Sequence, residues 1–351
     1  MMKKLNDEGL FRLIHDFLKV YMPHQKHTSS NTIKSYKETL NLFFDYLTRA
    51  RGICITDLSF SKIDSKMLWD FLDWLENERH CSVSTRNQRL ACIRSFYKYA
   101  GTMDITLLAY RNEILKVPLK KDTHKTTVVK YMSEEAVKAI LKQPDVTLGK
   151  GIRDQFFMIL MYDTGIRNRE ILDMRLGNFD TESKTPCVRV TGKGNKQRVI
   201  PIMPKTVGHF KKYVKIYHQE NNPDQYLFYT VRHGMIQQMS DDNVAIFMDI
   251  YSRKAKLECK EVPDHLHPHM WRHSRAIHLY RAGMPLPLLA EWLGHAQLET
   301  THIYAYADTE MKREAIKKAT EKMNPLMIKD EKPCWKNENS EELIRKLYGL
   351  R

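Results

Sequence analysis

Four short stretches carry polar, ionisable side chains where buried helices should be mostly apolar. "TGIRNRE" holds Arg167 and Glu170, and "GKGNKQR" holds Lys193. "HPHMWRH" places His269 and Arg272 three residues apart, on one face of a helix. His295 is followed nine residues later by Tyr304. Two arginines, two histidines, a lysine and a tyrosine form a coherent set for transesterification at a phosphodiester. Arginine's planar fork holds nonbridging phosphate oxygens in paired hydrogen bonds and keeps its charge throughout. Preorganised donors can meet the charge that builds up in the transition state without a metal. A phenolate leaves more readily than an alkoxide, so a phosphotyrosine link is reversible, and a lysine can protonate the departing sugar oxygen.

Each residue also has a plainer reading. Arg167 can pair with Glu170 as structure alone. A lysine in a hairpin turn is usually solvated, and Lys196 and Arg198 lie close by in sequence. Tyr304 and Tyr306, two apart, point about 200° away from each other on a helix, so they cannot both reach one site. His265, His267, His269 and His273 invite a zinc reading, with His269 and His273 at usable i, i+4 spacing. There is no Glu in an H-E-x-x-H frame and no partnering cysteine, so no metal site is expected.

Taken together and in order, these stretches resemble the tyrosine recombinases, the phage integrase family. That family typically shows T-G-L-R-x-x-E, then G-K-G-N-K-x-R, H-x-L-R-H and L-G-H, with a tyrosine nine residues after the last histidine. Here "TGIRNRE" spans 164–170, "GKGNKQR" spans 192–198, and "HMWRH", "LGH" and Tyr304 follow at matching spacing. The match covers most of residues 130 to 310. "NTIKSYKETLNLFFDYL" and "STRNQRLACIRSFYKYA" are similar to the family's core-binding domain.

The resemblance implies a phosphate-clamping pair, Arg167 and Arg272. It makes Lys193 the general acid, His269 and His295 phosphate-binding or proton-handling groups, and Tyr304 the nucleophile. Glu170 and His273 become supports, and Tyr306 a packing residue. Trp271 stands where the family often has leucine, a change in packing beside Arg272. The implied fold is mostly α with a small antiparallel β-sheet: a helical-bundle core-binding domain plus a catalytic domain of the DNA breaking-rejoining type. The implied activity is site-specific cleavage and rejoining of DNA through a 3′-phosphotyrosine, for a mobile element or phage, with no cofactor. The implied partners are double-stranded DNA with paired recombination sites and further copies of the chain, a dimer on one site and a tetramer in the synapse. No membrane partner is implied, and the implied location is the bacterial cytoplasm, at the nucleoid. Two rivals use the same residues. A type IB topoisomerase-like enzyme would relax supercoils without paired sites, and a non-catalytic DNA-binding protein would form no covalent adduct.

Helical spacing of Ile33, Tyr36, Leu40, Phe43 and Leu47 predicts one positioning element, with Ser29, Ser30 or Asn31 as its cap. Met67 to Leu75 predicts a second, capped by Asp64 or Ser65. Leu90, Ile93 and Tyr97 predict a third, with Gly101 as a stop. With an amphipathic N-terminal stretch these form a bundle over residues 5–105. A basic linker is expected over 106–130, where Lys116, Lys120, Lys121 and Lys125 would meet DNA phosphates. The catalytic domain should span 131–320. Within it a helix should follow Ser133, two buried helices should break near Thr164-Gly165, and "CVRVTGKGNKQRVIPI" should form a hairpin. Gly283 and Gly294 should end helices. The tail, 321–351, should carry a short amphipathic helix that packs on its own domain or, as the resemblance implies, on a neighbouring protomer.

Composition supports a polyanionic partner. The net charge is +15, and the basic residues are spread along the chain, which predicts basic surfaces on folded domains instead of one basic arm. No apolar run approaches the roughly 20 residues that span a bilayer. The six cysteines lie far apart, which fits free thiols in a reducing compartment.

Overall fold

The computed structural model describes residues 6–121, 129–192, 196–295 and 297–306, together with residues 313 and 345; for 305 and 306 it describes the backbone only. The chain divides into two compact units, residues 1–126 and 127–351. It is mostly helical with small antiparallel sheets.

In the first unit α1 (Glu8–Asp16) begins where the Asp7 carboxylate accepts the Leu10 N–H at 3.0 Å. It continues without a break into a wider π-helical stretch, Phe17–Gln25. Ser29 caps α2 (Ser30–Asp45), Asp64 caps α3 (Ser65–Asn77) and Ser82 caps α4 (Val83–Met103). Each cap supplies a side-chain oxygen to a backbone N–H that the helix cannot satisfy itself. Their apolar faces meet in a core that includes Phe17, Phe43, Phe71, Leu72, Leu90 and Phe96.

Two expectations change here. Gly101 does not stop α4 but lies inside it, buried. A Cβ at that position would sit 2.8 Å from Cδ of Arg111, so the glycine admits a close neighbour. That neighbour is α5 (Leu108–Lys116), in a stretch expected as linker. Ile114 and Val117 are buried in the bundle core, and Glu113 accepts from the backbone N–H and the hydroxyl of Ser65. Only Ile114 of its nine residues is fully buried, so the helix has no strong period along the sequence; packing against α4 stabilises it. Lys116 is therefore the last helical residue of α5, Lys120 pairs with Glu76, and Lys121 is exposed. Lys125 lies outside the described residues.

In the second unit Ser133 caps α6 (Glu134–Leu141). Helix α7 (Gly149–Thr164) runs through the core, with Phe156, Phe157, Leu160 and Met161 fully buried. It ends at Gly165, whose φ of +63° is the left-handed conformation glycine adopts without strain. After α8 (Asn168–Leu172), β1 (Phe179–Asp180), β2 (Cys187–Thr191) and β3 (Gln197–Pro201) form an antiparallel sheet in that order. In the β2/β3 hairpin Val188 faces Ile200 and Val190 faces Arg198. Then come α9 (Pro204–Tyr217), β4 (Tyr229–Arg232), β5 (Met235–Gln238), α10 (Asp241–Glu258), α11 (Pro268–Arg281), α12 (Leu286–Leu293) and α13 (Glu299–Tyr306). The β4/β5 hairpin was not anticipated. Its turn uses His233 and Gly234, both at positive φ, so His-Gly was its local signal. The tail expected over 321–351 lies outside the described residues apart from Arg345. No described helix is long and apolar enough to cross a membrane.

Candidate active site

Two glycine turns bring the cluster together. Gly165 ends α7 and Gly294 ends α12, both in left-handed conformation, and each exposes backbone carbonyls. Arg272, on α11 and only 3% exposed, donates to the Gly165 carbonyl at 2.8 Å and to the Leu293 carbonyl at 2.7 Å. Burial, and then the Arg167 charge, draw its pKa down to about 10, so it remains a cation at neutral pH.

Arg167 lies between Gly165 and α8. It donates to Glu170 Oε1 at 2.9 Å and to the Gly294 carbonyl at 3.4 Å. Glu170 is buried and also accepts the Arg167 backbone N–H and two bonds from Arg198, at 3.1 and 2.8 Å. Burial alone would raise its pKa. The hydrogen bonds from Arg198 and Arg167, with their charges, outweigh that and hold it below the usual value. A third Arg198 bond reaches the Trp292 carbonyl at 3.2 Å. A Cβ at Gly294 would sit 2.9 Å from the Arg198 guanidinium carbon, so a side chain there would displace that guanidinium, and the positive φ of +67° itself favours glycine.

Tyr304, on α13, is 1% exposed, and its hydroxyl shares a hydrogen bond with His273 Nδ1 at 3.0 Å. Burial raises its pKa, while Arg272 and Arg167 pull it down. The His295 ring lies nearly parallel to the Tyr304 ring, with centroids 6.5 Å apart, and its Nδ1 meets Thr301 Oγ1 at 2.8 Å. Burial and neighbouring positive charge push His273 and His295 down to about 4 each, so both are neutral at neutral pH. His269 stands at the exposed edge, its ring 6.3 Å from that of His273; desolvation and Arg272 lower its pKa too.

Arg167, Glu170, Arg272, His273, His295 and Tyr304 are thus joined by hydrogen bonds, ring contacts and shared charge, with His269 beside them. Lys193 and the Tyr306 side chain lie outside the described residues. Gly192, next to Lys193, is close to the cluster: a Cβ there would be 3.3 Å from Glu170 Oε1. Two polar partners escaped the sequence reading. Arg198 shares the inward face of β3 with Ile200, which a two-residue period along "QRVI" could have revealed. Thr301 precedes Tyr304 by three and so shares its helix face, but nothing local predicts its bond to His295. Trp292 also fixes the fold here, donating Nε1–H to the Thr164 carbonyl at 2.9 Å. Among the described residues no three His, Cys, Asp or Glu side chains are grouped to hold a metal ion.

Residues 13–114 match the Phage integrase SAM-like domain, and residues 130–311, over half the chain, match the Phage integrase family. The chain belongs to the phage integrase family of tyrosine recombinases. This is a DNA breaking-rejoining enzyme class. Among its relatives, tyrosine recombinase XerA of Pyrococcus horikoshii is 30% identical over 295 residues, covering 83% of this chain and 88% of the relative. Tyrosine recombinase XerC of Caldanaerobacter subterraneus is 28% identical over 328 residues, covering 90% and 87%. The recombinase shares its fold with XerH site-specific recombinase bound to palindromic difH substrate, at a TM-score of 0.61 and 20% identity over 90% of each chain.

Proposed function

We propose that this recombinase cleaves duplex DNA at a specific site by attack of the Tyr304 hydroxyl on a phosphodiester. The phosphorus–5′-oxygen bond breaks, giving a 3′-phosphotyrosine and a free 5′-hydroxyl. The 5′-hydroxyl of a partner duplex then attacks the phosphotyrosine and releases Tyr304. The observation that carries this reading is the buried Tyr304 hydroxyl on a neutral histidine, His273, beside two arginines. Neutral His273 can accept the phenol proton that attack requires. Arg167 and Arg272 meet the charge that develops on the nonbridging oxygens, assisted by His295 and His269. Lys193, next to Gly192, protonates the departing oxygen. The link conserves the energy of the broken bond, so no nucleotide cofactor or metal enters the scheme. Exchange between two sites needs four strand cleavages, hence a dimer on each site and a tetramer in the synapse. Integration or excision of a mobile element or phage fits such an exchange, and the +15 charge supports duplex DNA as the partner.

A nicked suicide substrate, from which the 5′-hydroxyl fragment diffuses away, tests the reading. A covalent adduct should accumulate, persist in a chelator, and map to the peptide containing Tyr304. DNA on Tyr306, or no adduct on a substrate the protein demonstrably binds, would sink it.

A further inference from the structure

We propose that Thr301 is a positioning residue that sets the tautomer of His295, so that His295 presents Nε2–H as a donor to the scissile phosphate. The proposal rests on the strand-transfer reading above. Thr301 is fully buried, and its Oγ1 lies 2.8 Å from His295 Nδ1. Two proton arrangements are open to such a pair. If Nδ1 carried the proton and donated, the threonine hydroxyl would need another acceptor in a place water does not reach. Among the described residues the hydroxyl bonds neither of its helical candidates, three and four residues back: the Leu298 carbonyl accepts the backbone N–H groups of Thr301, at 2.8 Å, and His302, at 3.2 Å, and the Gln297 carbonyl accepts that of Thr300, at 3.2 Å. A buried donor left unpaired costs about 1–3 kcal/mol. The hydroxyl therefore donates to Nδ1, and the single proton of the neutral ring resides on Nε2.

Neutrality is what gives the tautomer its importance. Burial disfavours a charged ring most, and Arg272 on α11, Arg167 before α8, Arg198 on β3 and His273 on α11 add to it. A protonated ring would donate from both nitrogens, whereas a neutral ring donates from one. Thr301 and Tyr304 lie three apart on α13, so the nucleophile's helix also sets the orientation of His295. Distortion of α13 would disturb nucleophile and donor together.

The test uses the full chain with histidine-selective nitrogen-15 labelling. Long-range proton–nitrogen spectra of the wild type at pH 7 should show His295 with a bare Nδ1 and a protonated Nε2; the reverse assignment overturns the proposal whatever the variants do. Thr301→Val keeps the shape and removes the hydroxyl. It should give a mixed tautomer, unchanged DNA affinity and roughly 10-fold slower adduct formation, a part of the 10²- to 10³-fold commonly lost with a whole donor. Thr301→Ser should restore tautomer and rate. A Thr301→Val protein that cleaves at the wild-type rate, or a serine variant as slow as valine, would also overturn it. If the wild type itself formed no adduct, the strand-transfer reading would fail, and the wild-type spectrum would still decide the tautomer.

Discussion

The two units bury different things. Among its described residues the first buries two polar side chains, Thr39 and Arg86. Thr39 donates to the Ser35 carbonyl at 2.8 Å, and Arg86 pairs with Glu76 at 2.7 Å. Everything else in that core is aromatic, aliphatic or small. The second unit buries Asp154, Asp163, Glu170, Arg272, Ser274 and Thr301, among others. An ion taken out of water costs several kcal/mol unless it is paired and hydrogen-bonded. Where the second unit bears that cost at Glu170 and Arg272, the compensating partners are motif residues and glycine-turn carbonyls. Packing dominates the first unit, and a preorganised electrostatic site dominates this part of the second.

That contrast can be broken most decisively at one hydroxyl. Tyr304→Phe should abolish the covalent adduct while leaving the melting temperature and DNA affinity near wild type; Tyr306→Phe should keep the adduct. An adduct from Tyr304→Phe would remove the site from this cluster. Next in size, Arg272→Ala should slow adduct formation by about 10²- to 10³-fold, because a preorganised donor is lost. It should also lower the urea midpoint, since the Gly165 and Leu293 carbonyls lose their partner. Substantial cleavage by that variant would show the buried arginine to be structural.

Phe71→Ala in the first unit should do the opposite. A buried phenylalanine truncated to alanine costs about 3–5 kcal/mol, and the cleavage rate of whatever remains folded should hold at pre-nicked, saturating DNA. A selective loss of chemistry there would blur the division between the units. A pH titration should give a smaller effect. His273 and His295 are held at about 4 against an ordinary 6.5. Between those values the unfolded chain binds more protons, so stability should fall as pH falls through that window and be unaffected by these groups above it. Cleavage should likewise persist below pH 6.5 and fail near 4, as His273 loses its capacity to accept a proton. A rate lost near 6.5 would contradict a buried neutral His273. The smallest change should follow replacement of Lys116, Lys120, Lys121 and Lys125 by Gln. For every DNA phosphate that a replaced lysine neutralised, the salt slope of binding should flatten by about 0.9. Lys120, already paired with Glu76, should contribute less than Lys121. An unaltered slope would remove these lysines from the DNA interface.

Local chemistry determined much of this in advance. Ser29, Asp64 and Ser133 start helices because a side-chain oxygen three residues before an unpaired N–H satisfies it whatever the rest of the chain does. Gly165 and Gly294 end helices because only glycine takes the left-handed turn freely. The residues proposed for the chemistry were legible for a related reason: their types and order are unusual enough together to single them out. Tertiary structure alone decided the rest. Whether Gly101 stops a helix or admits a neighbour depends on where α5 packs. Whether Arg198 is solvated or holds Glu170 depends on β3 meeting α8 and the turn after α12. Whether Thr301 is one more helical threonine or the partner of His295 depends on the fold of the turn before α13. Capping joins residues three or four apart and can be read along the chain, whereas these interactions join distant segments and are set by how the apolar faces close.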